Sequence, residues 1–546
     1  MILISSDMVD DVGDILEGVA YIDSDVICYT HGLGSFKAGG GSLDKIVKGK
    51  FFLKYLDGND TVIRTDEDGN ELVFYYSTAD FWCVSTSFFG MANYLSKRGC
   101  QLTASKKELA KLFVSTSLFE QPYSESLAIS EIQLLEANCK IVISGGVFNV
   151  CACESPSTRG SSGFFDRVTN FINESRSAIA GLSGSFEVDL ELSGGIDSRV
   201  VLGLALPYSD GVKITSDNSR KERADDFLIA TLLSENYKIK MSPPRPKSYG
   251  STDLVSKWSL FKLGCIGVSR TNLKPNSGSG IKYSCVVRLN GGGGESNRVY
   301  YNTNSQAYYN VIDRAPLDEA YKSILKKDLC DTLEKHGYAE SPQQAMVSIY
   351  KGFRQRYFAG RAWYYSLLGL VYSPMASKCF GELCESPDLE KVFGCDLDEI
   401  LDRNLIILFI LYILDPALAI IRFDEDKKNF RLEDIRRIQG IAATFDRSGI
   451  NITPQSLAFG SVSQREVLPK WADESLRYEG KGLSYESMID EDIKNVVGSI
   501  SSMGILSQKF LQDLSEGMTA GKLDPRTKNS LLHLSEILRF TSSVGD

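Results

Sequence analysis

The stretch FEVDLELSGGIDSRVVLGLA, residues 186–205, decides how the rest of the chain is read. Apolar residues alternate through Phe186–Leu192, which predicts an inward-facing strand. The run then enters Gly194 and Gly195, and Ser198–Ala205 opens a helix. In a strand, glycine loop and helix of this kind the backbone comes close to a ligand, and the unpaired amides and positive dipole end at the helix start favour an anion. The backbone from Leu192 through Ile196 and the hydroxyls of Ser193 and Ser198 are the candidate phosphate donors. Asp197 is the informative residue, because a carboxylate inside a phosphate-binding loop repels its ligand unless a divalent cation lies between them, which implies magnesium. No GK[ST] follows the glycines, so a Walker loop and γ-phosphate transfer are disfavoured.

Working outward, ESPSTRGSSG at 154–163 is poor in apolar side chains and reads as a linker. It separates a first domain, 1–153, from a second, 164–546. A chain of 546 residues exceeds what one hydrophobic core usually serves. In the first domain the runs Gly18–Cys28, Phe51–Tyr55, Val62–Arg64, Leu72–Tyr76 and Phe81–Ser85 predict strands. DGND at 57–60 and DEDGN at 66–70 mark turns between antiparallel partners. Met91–Arg98 and Lys106–Phe113 read as helices, and Lys140–Val150 returns to strand character. In the second domain Phe164–Ala180 is helical, strand and helix signals alternate to about residue 300, and nearly everything after that reads as helix. The expected class is α/β, an antiparallel β-rich unit followed by a parallel-sheet unit with a largely helical C-terminal part.

Composition narrows the function. A formal net charge of −10 gives no electrostatic footprint for nucleic acid, so DNA and RNA partners are set aside. The longest apolar run, Leu405–Leu414, is too short for a bilayer, which needs about 20 residues, and reads as a core helix. No secretion signal stands at the N-terminus, so the cytoplasm is the expected location and no membrane partner is expected. The 12 cysteines include the spaced pairs Cys151/Cys153 and Cys379/Cys384, and neither has the second half of a tetrahedral zinc site. With His31, His336 and His533 isolated, the cysteines read as structural thiols.

SGGIDS at 193–198 resembles the pyrophosphate loop (PP-loop) of the N-type ATP pyrophosphatases, and its flanks look most like asparagine synthetase and β-lactam synthetase. VVRLNGGGGESNRVYY, 286–301, resembles that family's strand and glycine-rich acidic loop. The resemblance implies ATP as cofactor, with magnesium shared between Asp197 and Glu295. It also aligns Gly292 with a position that carries a catalytic Glu or Tyr in those enzymes, and brings Gly292 and Gly293 into the ATP-binding set. The Gly291–Gly294 run reads alternatively as a flexible surface turn.

VKITSDNSRKERADDFLIATLLSENYKI, 212–239, matches the family's second strand, whose backbone at Ile214, Thr215 and Ser216 would hold adenine. Glu222, Asp225 and Asp226 read as a solvated helix face. Arg361 stands either for a substrate-carboxylate or phosphate contact or for a structural salt bridge. DEDKKNF, 424–430, resembles the region of a lysine that steadies pyrophosphate. This makes Lys427 the catalytic candidate with Lys428 in reserve, against the alternative of a plain surface pair.

GKFFLKYLDGNDTVIRTDEDGNELVFYYS, 49–77, resembles the glutaminase (Ntn-type) half of asparagine synthetase. That half begins with a cysteine nucleophile, whereas this chain begins Met1-Ile2-Leu3, so glutamine hydrolysis is expected to be absent. The resemblance therefore implies an AMP-forming carbon–nitrogen ligase that adenylates a carboxylate and passes the acyl group to an amine, within one molecule or between two. The rival expectations are adenylation of a ureido or amide carbonyl with nitrogen or sulfur transfer, and a non-catalytic scaffold.

Overall fold

The computed structural model of the chain describes residues 2–8, 13–153, 162–217, 223–242, 286–360, 370–425, 428–456, 458–461, 485–519 and 522–545. Glu222, Arg361, Lys427 and residues 154–161 of the expected linker lie outside them. The protein is mixed α/β, with antiparallel and parallel sheets, and among the described residues no helix is long and apolar enough to cross a membrane.

The first unit holds two antiparallel sheets. Strands β1 (Leu3–Ser5), β2 (Ile15–Ile22), β3 (Asp25–Cys28), β4 (Lys48–Asp57), β5 (Asp60–Thr65), β6 (Phe74–Ser77) and β7 (Trp82–Ser85) are followed by β8 (Thr103–Ser105), β9 (Gln133–Leu134), β10 (Cys139–Ser144) and β11 (Val147–Ala152). One sheet has the order β11-β10-β5-β4-β2-β3, the other β1-β7-β6-β9. Side chains alternate across β4. Phe51, Leu53 and Tyr55 pack under helix α1 (Tyr29–Ala38), while Phe52 points to the second sheet and meets Ile4, Trp82 and Val84. Helices α2 (Phe88–Lys97) and α3 (Lys106–Lys111) share a further core with Phe74 and Cys83 on the far side of the second sheet.

Lys140–Val150 has strand character, folded as a hairpin that turns at Gly145 and Gly146, whose φ values of 56° and 83° suit a tight primed turn. One expectation needs correction. DEDGN does not join paired strands. It leaves β5 of one sheet for β6 of the other, with the fully buried Asp66 carboxylate accepting from the N–H groups of Asn70 and Glu71 at 2.9 and 3.0 Å.

The second unit opens with helix α4 (Phe164–Ser185), then β12 (Val188–Glu191), α5 (Ile196–Ala205), β13 (Val212–Thr215), α6 (Ala224–Tyr237), β14 (Val287–Leu289) and, later, β15 (Val371–Tyr372). These four strands form a parallel sheet of order β13-β12-β14-β15, with Leu190 opposite both Ile214 and Leu289, and Leu289 opposite Tyr372. Helix Leu405–Leu414 lies in the same core as α4, α5 and the strands, with eight of its residues buried, as an all-apolar ten-residue helix requires.

Most of the described chain beyond residue 300 is helical, and β16 (Ser543–Gly545) pairs in parallel with β8. Helices Ser305–Arg314, Glu319–Lys335 and Pro525–Phe540 share a core with Phe74–Leu134 of the first unit rather than with the parallel sheet. The two units also meet at the DEDGN turn. There Asn70 Nδ2 donates to the Ala376 carbonyl at 3.0 Å, and Arg356 donates from Nε to Gly69 O at 2.9 Å and from Nη2 to Leu135 O at 2.8 Å.

Candidate functional site

From β12 the chain moves one way to β13 and then, across β12, the other way to β14. In open parallel sheets that reversal leaves a crevice beyond the carboxyl ends of the strands, where ligands bind. The described residues of the two glycine loops and the β13 end converge there. Leu192–Gly195 leave β12, Ile196–Ser198 form the first turn of α5, Thr215 and Ser216 end β13, and Asn290–Glu295 follow β14.

The loop is held in shape largely by its own groups. Ser193 N–H donates to Ser198 Oγ at 3.2 Å, Gly195 N–H donates to Ser193 Oγ at 3.2 Å, and the two hydroxyl oxygens lie 3.1 Å apart. Gly194 N–H donates to Asp226 Oδ1 at 2.8 Å. Asp226 is thus no part of a solvated face, although Asp225 beside it is exposed. Leu192 N–H donates to Thr215 O, so Leu192 continues the strand ladder. The start of α5 has no side-chain cap, so the amides of its first turn are the orphan donors of that helix end.

Glycine is needed in this site for close approach. A Cβ on Gly194 would stand 2.4 Å from Asp424 Cβ, and one on Gly294 would stand 2.2 Å from Asp197 Oδ1. Gly293 has φ of 95° and abuts the backbone of Met375 and Ala376. Gly292 N–H donates to Asn290 Oδ1 at 3.0 Å, and the Ser373 hydroxyl donates to the same oxygen. The Gly291–Gly294 run is therefore a packed turn, not a flexible surface one.

Asp197 and Glu295 are brought together, but Arg298 lies between them. Its Nη1 and Nη2 donate to Asp197 Oδ1 and Oδ2 at 2.8 and 2.6 Å, and Nη2 also donates to Glu295 Oε1 at 2.9 Å. The Tyr350 hydroxyl donates to Glu295 Oε2 at 2.8 Å. The turn Gly294–Asn297 is fixed from behind by Ser296, which donates to Gln355 Oε1 at 2.6 Å, and by Asn297, which donates to the Phe380 carbonyl at 2.6 Å.

Burial works to raise the Glu295 carboxyl, but the Arg298 charge and hydrogen bonds from backbone, Tyr350 and Arg298 outweigh it and hold Glu295 below its ordinary value. Burial raises the Asp197 carboxyl, and the neighbouring Glu295 charge adds to this against the pull of Arg298. All four carboxylate oxygens are engaged by protein donors. As arranged, the residues do not fit a magnesium ion bridging Asp197 and Glu295, and among the described residues no group of three or more His, Cys, Asp or Glu side chains could hold a metal.

The segment after Ile420 packs against the loop. Asp424 N–H donates to Gly194 O at 3.3 Å, and Lys428 Nζ pairs with Asp424 at 2.6 Å and Glu425 at 2.8 Å. Of the two lysines proposed to steady pyrophosphate, Lys428 is therefore beside the loop. The buried Arg199 anchors this segment. It donates to the carbonyls of Leu418 (3.1 Å), Ile421 and Arg422, and lies 3.6 Å from the Phe423 ring centroid. At the end of β13, Ile214 N–H and C=O are both bonded to the 240–242 segment. Among the described residues Ser216 Oγ is buried without a hydrogen-bond partner, which leaves Ser216, not Ile214, as the open polar group of that stretch.

Sequence reasoning missed Arg298, Asp226, Asn290 and Tyr350. Arg298 had one local signal: it stands three residues after Glu295 across a 3₁₀ turn, a spacing that puts both side chains on one side. No protein-family model matches the chain, and a search of curated proteins finds no match.

Proposed function

We propose that this chain binds ATP at the carboxyl edge of its parallel sheet, activates a carboxylate as an acyl-adenylate, and transfers the acyl group to an amine. Membership of the asparagine synthetase and β-lactam synthetase family is part of this proposal. The observation that carries it is the uncapped start of α5 at the switch point, approached closely by glycines from two loops. A substrate carboxylate oxygen attacks the α-phosphorus, the bond to the β-phosphate bridging oxygen breaks, and pyrophosphate leaves. The first-turn amides of α5 and the Lys428 ammonium beside the loop meet the charge that develops on it, the electrostatic contribution that usually dominates such steps. An amine nitrogen then attacks the acyl carbon, AMP departs with the bonding electrons, and the amine proton passes to solvent. No step runs through a divalent cation held by Asp197 and Glu295.

The test is incubation of the full chain with ATP and a panel of carboxylates and amines, with nucleotide products resolved by chromatography. AMP and pyrophosphate are expected, in amounts that depend on the added acid. ADP and orthophosphate would overturn the reading, as would the absence of ATP binding by calorimetry.

A further inference from the structure

We infer that Arg298 is a resident cation standing in the position between Asp197 and Glu295, so that this site operates with a guanidinium where two facing carboxylates would otherwise demand a metal ion. The inference concerns the site read above as nucleotide-binding, but its geometry does not depend on that reading. One nitrogen, Nη2, lies 2.6 Å from Asp197 Oδ2 and 2.9 Å from Glu295 Oε1, so the two acids are close enough to share a single cation. The three side chains are only about one-fifth exposed, and two such acids without a cation would leave uncompensated buried charge.

Magnesium demands near-octahedral oxygen ligation and keeps several waters. Here each of the four carboxylate oxygens already accepts from Arg298 or Tyr350, so a metal would have to break those bonds first. Three of the five guanidinium N–H donors are spent on the acids. The planar fork suits this double duty in a way that a lysine ammonium would not. Gly294 makes the arrangement possible, since any side chain there would fall on Asp197.

The test uses manganese(II) alone, titrated into the full-length chain and followed by electron paramagnetic resonance. Wild type is expected to bind no manganese that Glu295→Gln removes. Arg298→Ala should gain one stoichiometric site, at least tenfold tighter than any wild-type binding and lost again in Arg298→Ala/Glu295→Gln. Arg298→Lys, which keeps the charge, should remain silent. Manganese bound by wild type and lost in Glu295→Gln would overturn the inference even if the alanine variant failed to fold. A folded Arg298→Ala chain that gains no site would overturn it too. Failure of ATP to bind would count against the proposed function and leave the manganese result standing.

Discussion

A Cβ on Gly291 would stand 2.8 Å from the Cβ of Asp197, so the glycine-rich loop and the first turn of α5 touch through backbone. Gly291→Ala must therefore push the loop away from α5 or strain both, a cost of about 1–3 kcal/mol for overpacking. The expected result is a lower melting temperature. Gly440→Ala is the matched control, because a Cβ on Gly440, within helix Leu432–Ala442, meets nothing within 4 Å. Alanine there should stabilise by up to ~1 kcal/mol through helix propensity. Equal stability of Gly291→Ala and wild type would show that the two loops do not touch.

Asp225 and Asp226 are adjacent acids with different tasks. Asp226 accepts the Gly194 N–H at 2.8 Å, whereas Asp225 is exposed. Asp226→Ala strips a loop amide of its acceptor, which costs roughly 1–3 kcal/mol when the group stays buried. Faster hydrogen exchange at the Gly194 amide and a lower melting temperature are expected. Asp225→Ala should stay within about 0.5 kcal/mol of wild type, as a surface change does. Matching behaviour of the two variants would remove Asp226 from the loop.

That pair also marks where sequence reading stops. The strand, loop and helix at 186–205 were legible because each signal is local: alternation, paired glycines, and a helical run. Leu405–Leu414 was legible because an all-apolar run of that length has few places to go. Asp226 was not, since neighbouring acids in one helical turn look alike until a partner from another element selects one of them. Arg298 meets Asp197 across 101 residues, and no local pattern announces such a contact. The docking of Ser305–Arg314 onto the first unit was hidden for the same reason. Gly145-Gly146 is a different case, for the hairpin signal was present in the sequence and the flanking β-formers masked it.

Arg199 ties α5 to the segment that carries Asp424 and Lys428. Burial pushes its guanidinium down to about 10, so it holds its charge at neutral pH while bonded to three carbonyls. Arg199→Met fills similar space but leaves those carbonyls without their donor, and a loss of roughly 2–4 kcal/mol is expected from several unmet acceptors. Proteolysis should then reach the backbone near Phe423 faster than in wild type. Arg199→Lys keeps the charge without the fork and should recover only part of the loss. Protection at Phe423 unchanged in Arg199→Met would mean that the segment is held by other contacts.

Asp66 gives the fold a pH dependence of defined sign. Burial raises its carboxyl from the ordinary 3.8 to about 6, against hydrogen bonds from Glu71, Asn70 and Thr65 that favour the charged form. The folded chain therefore keeps the proton up to about pH 6, whereas the unfolded chain gives it up near pH 4. Folding takes up a proton between those values, so this group's stabilising contribution is complete below the lower one and is lost as pH rises through the higher. The difference is roughly 3 kcal/mol across the window. Asn at position 66 is neutral throughout, so the melting temperature of wild type relative to Asp66→Asn should fall as pH rises from 4 to 7.5. The consequence is felt at the contact between the two units, because the Asn70 side chain of the same turn holds the Ala376 carbonyl. A relative stability that is flat or rises over that range would place the Asp66 carboxylate in water rather than inside the turn.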